Sequence, residues 1–487
     1  MATTTQEEQT QTKPHILIIP YPAQGHMLPL LDFTHQLSLQ NLTITILTTP
    51  KNLPLLSHLL SLSPSIQTLI LPFPSHPSIP PNIENTKHLP SSFFIPMTHV
   101  LSLLHSPLLH WFKSTPNPPN FILSDFFLGW TQHLADQLSI PRIVFSPSGA
   151  FTLSTLYSLW TSMPKNPNPD NPRFPHSFPN IPDSPSFPWN HLSSLFRSFK
   201  EGDPVSHSIR DGFLGNIASW GLVLNSFDSL ESRYLQHLKD ELGHVRVWGV
   251  GPLTAVGSTR VDKADDRLIR WLDTCQDEEG SVVYVCFGSQ VELTWQQLEA
   301  VGMGLEKSGA RFVWCVRDTS AVPDEEFEMR VRGRGVVIRG WAPQVELLSH
   351  RAVGSFLTHC GWNSVLEAVG SGVVMLTWPF EADQFIGARL MREAGVAVRV
   401  CEGSDSVPDP DELGRILAES VGTSEVSRER RKRAVELREK ALMAVKEGGS
   451  SFRDLQGFVK ALWEVHEEKM KKKDVERDRE MNGGSFF

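Results

Sequence analysis

Residues 341–384 read WAPQVELLSHRAVGSFLTHCGWNSVLEAVGSGVVMLTWPFEADQ, and the order of elements in this stretch decides what kind of fold the chain can adopt. Residues 354–358 (GSFLT) are a short apolar strand, His359-Cys360-Gly361 a turn, and Asn363-Ser364 opens a helix that runs to about Val369. Residues 373–378 (VVMLTW) are apolar again. Strand, tight turn, helix and strand form the βαβ unit of a parallel sheet. Small residues and an Asn-Ser pair before a helix leave free backbone N–H groups and the positive end of the helix dipole facing outward, which makes an anion site. His359 adds a donor beside it. Glu367, about one turn into the helix, can accept hydrogen bonds from vicinal hydroxyls, and Trp341 offers a flat face for a base. Asp383-Gln384, just past another strand end, offers acceptor and donor groups for a polyol. Together these residues describe a site for a nucleotide carrying a sugar. Singly, each has a plainer reading: a lone histidine before a helix is usually a cap or core residue, and a lone tryptophan usually fills a core.

Outward from this stretch the same grammar repeats. Residues 281–287 (SVVYVCF), 311–317 (RFVWCVR), 336–339 and 396–400 are further strand candidates, and Thr294 with Gln297 is a capping-box signature for a helix between the first two. Upstream, residues 15–20 (HILIIP), 43–49 (TITILTT), 121–125 (FILSD) and 142–146 (RIVFS) are continuous apolar runs of the kind buried in parallel sheets. Helices are expected over 28–39 and 130–138. Residues 245–253 (VRVWGVGPL) read as the last strand of a first lobe, 1–253. Residues 254–266 read as an interdomain linker and 267–450 as a second lobe. A final helix over 451–466 is expected to pack back on the first lobe, and 467–487 to be a frayed, charged tail. The expected fold is therefore α/β, with two doubly wound parallel sheets facing a cleft. Ligands of such sheets bind at the C-terminal ends of the strands.

Composition divides the chain unevenly. Of 36 prolines, 29 lie in residues 1–190, whereas only 15 of the 99 charged residues do. The first part is about 8% charged and the remainder about 28%, which fits two lobes with different tasks. Nine prolines fall between positions 164 and 188, so this segment is neither helix nor central strand. Its interleaved Phe174, Phe178, Phe187 and Trp189 favour a loop packed over an apolar surface rather than a mobile linker.

Several classes are disfavoured. No continuous apolar run reaches the roughly 18 residues of a membrane span. The N-terminus, MATTTQEEQTQTKP, has neither the basic nor the apolar segment of a signal peptide. Five cysteines without CxxC spacing fit a reducing, cytoplasmic setting better than a disulfide framework or structural zinc. A net charge of −9 argues against nucleic acid as the main partner. Gly302 and Gly304 have Gly309 at the wrong spacing for a dinucleotide fingerprint, and no G-x-S-x-G elbow is present. Asp409-Pro410-Asp411 reads as a helix N-cap rather than a manganese site.

The 341–384 segment resembles the signature box of plant UDP-dependent family 1 glycosyltransferases. The matching residues are Trp341-Ala-Pro-Gln344, His359-Cys-Gly-Trp-Asn-Ser364, Glu367, Trp378-Pro379 and Asp383-Gln384. The resemblance extends to residues 20–31 (PYPAQGHMLPLL), 124–130 (SDFFLGW), 287–289 (FGS) and 448–451 (GGSS), and so covers about 14–465. It is greatest for the group acting on flavonols and hydroxybenzoates. One departure is Val374, where many relatives have a proline. The resemblance implies a GT-B fold, with two Rossmann-like domains. It also implies that Trp341 stacks on uracil with Ala342 and Gln344 nearby, and that Glu367 holds the ribose. His359, Asn363, Ser364 and Ser289 would bind the diphosphate, and Trp362, Asp383 and Gln384 the sugar. A terminal glutamine in the box implies glucose. His26 would be the general base and Asp125 its support, a pair that places an imidazole and a carboxylate at two strand ends of one sheet. Phe127 and Gly25 are the residues assigned to the acceptor. No metal and no cofactor beyond UDP-glucose as co-substrate are expected, and the expected assembly is a monomer. Other UDP-sugars (rhamnose, galactose, xylose), C-glycoside formation and a silent nucleotide-sugar binder stay open, and a nicotinamide-dependent oxidoreductase lacks its fingerprint.

Overall fold

The apolar run His15–Ile19 forms strand β1, buried at every residue, in the middle of a seven-stranded sheet. The computed structural model describes residues 13–483 except 88, 257–263, 276–278 and 318–322. The other strands of this sheet are β2 (Thr43–Thr48), β3 (Gln67–Ile70), β4 (Phe121–Asp125), β5 (Arg142–Ser146), β6 (Gly221–Leu224) and β7 (Val247–Gly249). Their order is β3-β2-β1-β4-β5-β6-β7, with every pair parallel. A second parallel sheet contains β8 (Val282–Cys286), β9 (Arg311–Val316), β10 (Gly335–Arg339), β11 (Val353–Thr358), β12 (Val374–Thr377) and β13 (Ala397–Arg399). Its order is β10-β9-β8-β11-β12-β13. Parallel strands are covered by helices on both faces, which is why their sequences run apolar without alternation. In each sheet the winding reverses between the first and fourth strands, β1/β4 and β8/β11, and such reversal points open a crevice at the strand ends.

The helices that matter for the site are α1 (Gln24–Ser38), α2 (Ala150–Ser162), α3 (Asp228–Leu242), α4 (Trp295–Ser308), α5 (Trp362–Ser371), α6 (Gln384–Glu393), α7 (Pro410–Val421), α8 (Glu425–Val445) and α9 (Ser450–Gly483). Thr294 and Gln297 form the reciprocal capping box at the start of α4. The Asp409 side chain accepts from the backbone N–H groups of Asp411 and Glu412, which caps α7. The proline-rich segment closes a small hairpin, Pro175–Ser177 with Ser186–Pro188, and packs Phe178, Ile181 and Phe187 into the core beside α2. The apolar stretch 91–114 is broken into a 3-10 turn and two short helices. Their buried side, including Met97, Val100 and Leu108, packs on the first lobe.

Two expectations need correction. The charged stretch beginning at residue 467 is not a frayed tail, because α9 continues through it to Gly483; residues 484–487 lie outside the described chain. Residues 467–482 are mostly good helix formers with neither glycine nor proline before Gly483, so no breaker stops the helix earlier. The first helix begins at Gln24 rather than near Leu28, with Pro29 inside it. Most of the expected linker, residues 257–263, lies outside the described residues; a 3-10 turn at Leu253–Val256 precedes it and a helix from Asp266 follows. α9 returns to the first lobe, where Phe458, Val459 and Leu462 are buried against a core containing Phe33 and Trp248. Asp454 accepts from the backbone N–H of Gly249 at 2.7 Å.

Candidate active site

At the reversal point of the first sheet, β4 ends at Asp125 and the loop after β1 leads into α1, whose third residue is His26. His26 thus projects from the first turn of a helix and not from a loop, so its backbone is fixed by helical bonding. Asp125 is fully buried, and its two oxygens are used separately. One accepts from Phe127 N–H at 2.9 Å, and the other lies 3.0 Å from Nδ1 of His26. A carboxylate only accepts, so Nδ1 is the donor in this bond and Nε2 is the nitrogen left to act as acceptor; among the described residues no hydrogen bond reaches it. Aromatic rings hold the imidazole in place. Phe126 stacks parallel to it with centroids 5.5 Å apart, and Phe127 and Tyr21 lie at 4.7 and 5.2 Å.

Pro29 has a consequence one turn earlier. Lacking an N–H, it cannot bond the carbonyl of Gly25 four residues back. That carbonyl instead accepts from the Nδ2 amide of Asn363 in the second lobe, at 2.7 Å. Gly25, expected beside the acceptor, therefore faces the second lobe and is not among the residues lining the cavity described below.

At the reversal point of the second sheet, His359 follows β11 and lies against the Gly288 turn that follows β8. A Cβ at Gly288 would stand 2.6 Å from the ring, and one at Gly361 2.5 Å, so both glycines are required for the ring to fit. Burial pushes this imidazole down to about 4, and it stays uncharged with one N–H to donate. Gly361 precedes α5, whose first turn carries Trp362, Asn363 and Ser364. Gln344 donates to Glu367 at 2.6 Å and to Ser364 at 3.2 Å, which joins three of the expected residues in one cluster. Trp341 is 53% exposed, as a stacking platform requires, while its neighbour Ala342 is buried. Ser289 lies in the Gly288 turn, its carbonyl accepting from Arg317 at 2.8 Å.

Gln384 and Asp383 begin α6. The Gln384 side-chain oxygen accepts from the backbone N–H groups of Phe380 and Glu381, at 2.8 and 3.1 Å, and so pins the loop before the helix. Asp383 accepts from the Ser148 hydroxyl of the first lobe at 2.5 Å, and burial raises its carboxyl above the usual range. Trp362, expected at the sugar, directs its side chain toward the first lobe. Its indole N–H donates to the Asn225 carbonyl of the first lobe at 2.7 Å, and its ring fills a hollow at Gly149, where a Cβ would lie 2.7 Å from it. The side chain joins the lobes, and only its backbone remains at the helix terminus. Beside that hollow Glu231 is fully buried. It accepts from Ala150 N–H, Phe151 N–H and the Ser226 hydroxyl, which closes the start of α2.

Between the lobes lies a cavity open to solvent, with about 650 Å³ of empty space counting its open mouth. His26, Phe126 and Phe127 form one part of its lining, Ser148 and Asp383 another, and Phe187 and His191 close it from the proline-rich side. Phe127, expected from the sequence beside the acceptor, is part of this lining. His191, Asn225 and Glu231 carry no local motif, and only their partners in space reveal them.

The segment 252–409 matches the family described as UDP-glucoronosyl and UDP-glucosyl transferase. A flavonol 3-O-glucosyltransferase of Arabidopsis thaliana is 53% identical over 470 residues, covering 93% of this chain and 97% of that protein. A flavonol 7-O-rhamnosyltransferase of the same plant is 41% identical over 475 residues, covering 92% and 98%. The crystal structure of Arabidopsis thaliana UGT89C1 complexed with quercetin superposes with a TM-score of 0.76 at 41% identity, over 93% of this chain and all of that one. With its two facing parallel sheets of GT-B type and identity of this extent along nearly its whole length, the chain belongs to the plant family 1 UDP-glycosyltransferases.

Proposed function

We propose that this enzyme transfers glucose from UDP-glucose to a hydroxyl of a phenolic small molecule such as a flavonol, with inversion at the anomeric carbon. The observation that carries the reading is the His26–Asp125 contact of 3.0 Å at the edge of an aromatic-lined cavity that His26 and Asp383 both line. In the proposed step His26 Nε2 takes the proton of the acceptor hydroxyl. The oxygen forms its bond to the anomeric carbon as the bond to the diphosphate breaks, and UDP leaves with the electron pair. Asp125 stabilises the imidazolium that results. The growing negative charge on the diphosphate meets the N-terminus of α5 and the N–H of the neutral His359, donors fixed before the reaction begins. Trp341 stacks on the base and Glu367, steadied by Gln344, binds the ribose. Asp383 and Gln384 contact the sugar, and Phe127 the acceptor ring. The flavonol glucosyltransferase relative supports glucose and a phenolic acceptor.

A second reading is transfer of another UDP-sugar, favoured by the flavonol 7-O-rhamnosyltransferase relative. The test is a mass-spectrometric screen of UDP-glucose, UDP-rhamnose and UDP-galactose against flavonols and hydroxybenzoates, run with wild type and H26A. The expected result is an O-glucoside from UDP-glucose, with H26A below a few percent of that rate and UDP affinity within about twofold of wild type. H26A retaining more than a few percent of the activity overturns the general-base role. A rhamnoside as the main product favours the second reading.

A further inference from the structure

The cavity wall supplied by the proline-rich side ends in a 3-10 turn, Trp189–His191. The imidazole of His191 lies face to face with the ring of Phe385, centroids 3.8 Å apart and planes 11° from parallel. Phe385 directly follows Gln384 in α6, so this stack spans the two lobes. Among the described residues no hydrogen bond reaches either nitrogen of His191, although the ring is half-buried. Burial, reinforced by the charges of Arg173 and Arg197, pushes its pKa down to about 4. The ring is then neutral, with one nitrogen that donates and one that accepts. Leu156, Leu159, Phe187, Leu192 and Ile386 make much of the surrounding lining apolar. Neither nitrogen of His191 is among the buried polar atoms left without a partner, so the polar edge of the ring stays accessible while its face is covered by Phe385. A hydroxyl can both accept from and donate to a neutral imidazole.

We propose that His191 is an acceptor-positioning residue, hydrogen-bonding a polar group of a planar polyphenol other than the hydroxyl that reacts. This rests on the functional reading above in placing the acceptor in this cavity. Held flat by Phe385, the ring presents its edge at a fixed height, so it selects acceptors by where their second polar group falls. Because its stacking partner adjoins Gln384, an acceptor bonded to His191 also bears on the helix that carries the proposed sugar contacts.

The test is direct binding of quercetin by the full chain, measured calorimetrically for wild type, H191F and H191N. H191F keeps the stack on Phe385 and removes the hydrogen bond; H191N keeps an amide donor and acceptor. Expected is a rise in the quercetin Kd of about five- to tenfold in H191F, recovery to within about threefold of wild type in H191N, and a UDP Kd unchanged in both. H191F binding quercetin as wild type does, H191N weakened as much as H191F, or wild type that does not bind quercetin overturns the inference. Quercetin binding with the expected pattern but no transfer to any phenol overturns the functional reading and leaves the role of His191 standing.

Discussion

Three histidines show how neighbours assign work to one side chain. His26 has a carboxylate at one nitrogen and an open cavity at the other; His359 is pressed between two glycines; His191 lies flat on a phenylalanine. Only the first is arranged to store a proton. The third carries a prediction for stability. Burial pushes the pKa of His191 down to about 4 in the folded protein, whereas an ordinary histidine of the unfolded chain charges near 6.5. Between those values the unfolded chain binds the extra proton, so stability linked to this residue is whole above 6.5 and drains as pH falls toward 4. The wild-type Tm is expected to drop further between pH 7.5 and 5.0 than that of H191F, and equal drops would contradict the assignment. From residue type alone none of this is legible. The first 190 residues hold ten histidines besides His26, and it was the surrounding PYPAQGHMLPLL run that distinguished His26. Asp125 was more readable, because it closes a strand.

Elements buried on both faces were the most legible, since β4, β5 and β11 are continuous apolar runs whose ends coincide with turn residues. β3 has three of its four residues exposed and lacks that signal, whereas β6 is apolar and buried but only four residues long. The early start of α1 was hidden by Pro29, which reads as a breaker and instead sits within the helix. Its tolerance there is explained by the cross-cleft bond from Asn363 to the Gly25 carbonyl. P29A would restore an N–H to that carbonyl and compete with Asn363. Expected is a gain in folding stability of about 1 kcal/mol or more in chemical denaturation, because proline costs about 3 kcal/mol in a helix interior. Turnover should meanwhile fall several-fold as the link across the cleft weakens. A less stable P29A, or one with unchanged turnover, would contradict this account.

For the whole molecule, the lopsided composition pointed to two lobes, but the change near residue 190 is not where the first sheet ends. β6 and β7 follow it, and both join that sheet. The long return of α9 is what composition could not reveal, because its buried residues are set in a strongly charged sequence. A chain ending at residue 449 uncovers Phe33 and Trp248 and is expected to be insoluble or to lose cooperative thermal unfolding. One ending at residue 469 keeps Phe458, Leu462 and the His466–Asn120 bond and should melt within about 2 °C of the full chain. Similar behaviour of the two truncations would show that α9 does not complete the first lobe.

The hollow at Gly149 bears on how such enzymes diversify. His26 and Asp125 both precede the junction between the sheets, and the residues proposed to hold the nucleotide all follow it, so each half can vary by its own substitutions. What cannot vary freely is the fit between them. Any side chain at residue 149 would put a Cβ 2.7 Å from the Trp362 indole and 2.5 Å from the Glu231 carboxylate. A hybrid built from the front half of one enzyme and the back half of another should therefore depend less on overall identity than on whether one parent supplies a glycine at this position and the other the indole that enters it.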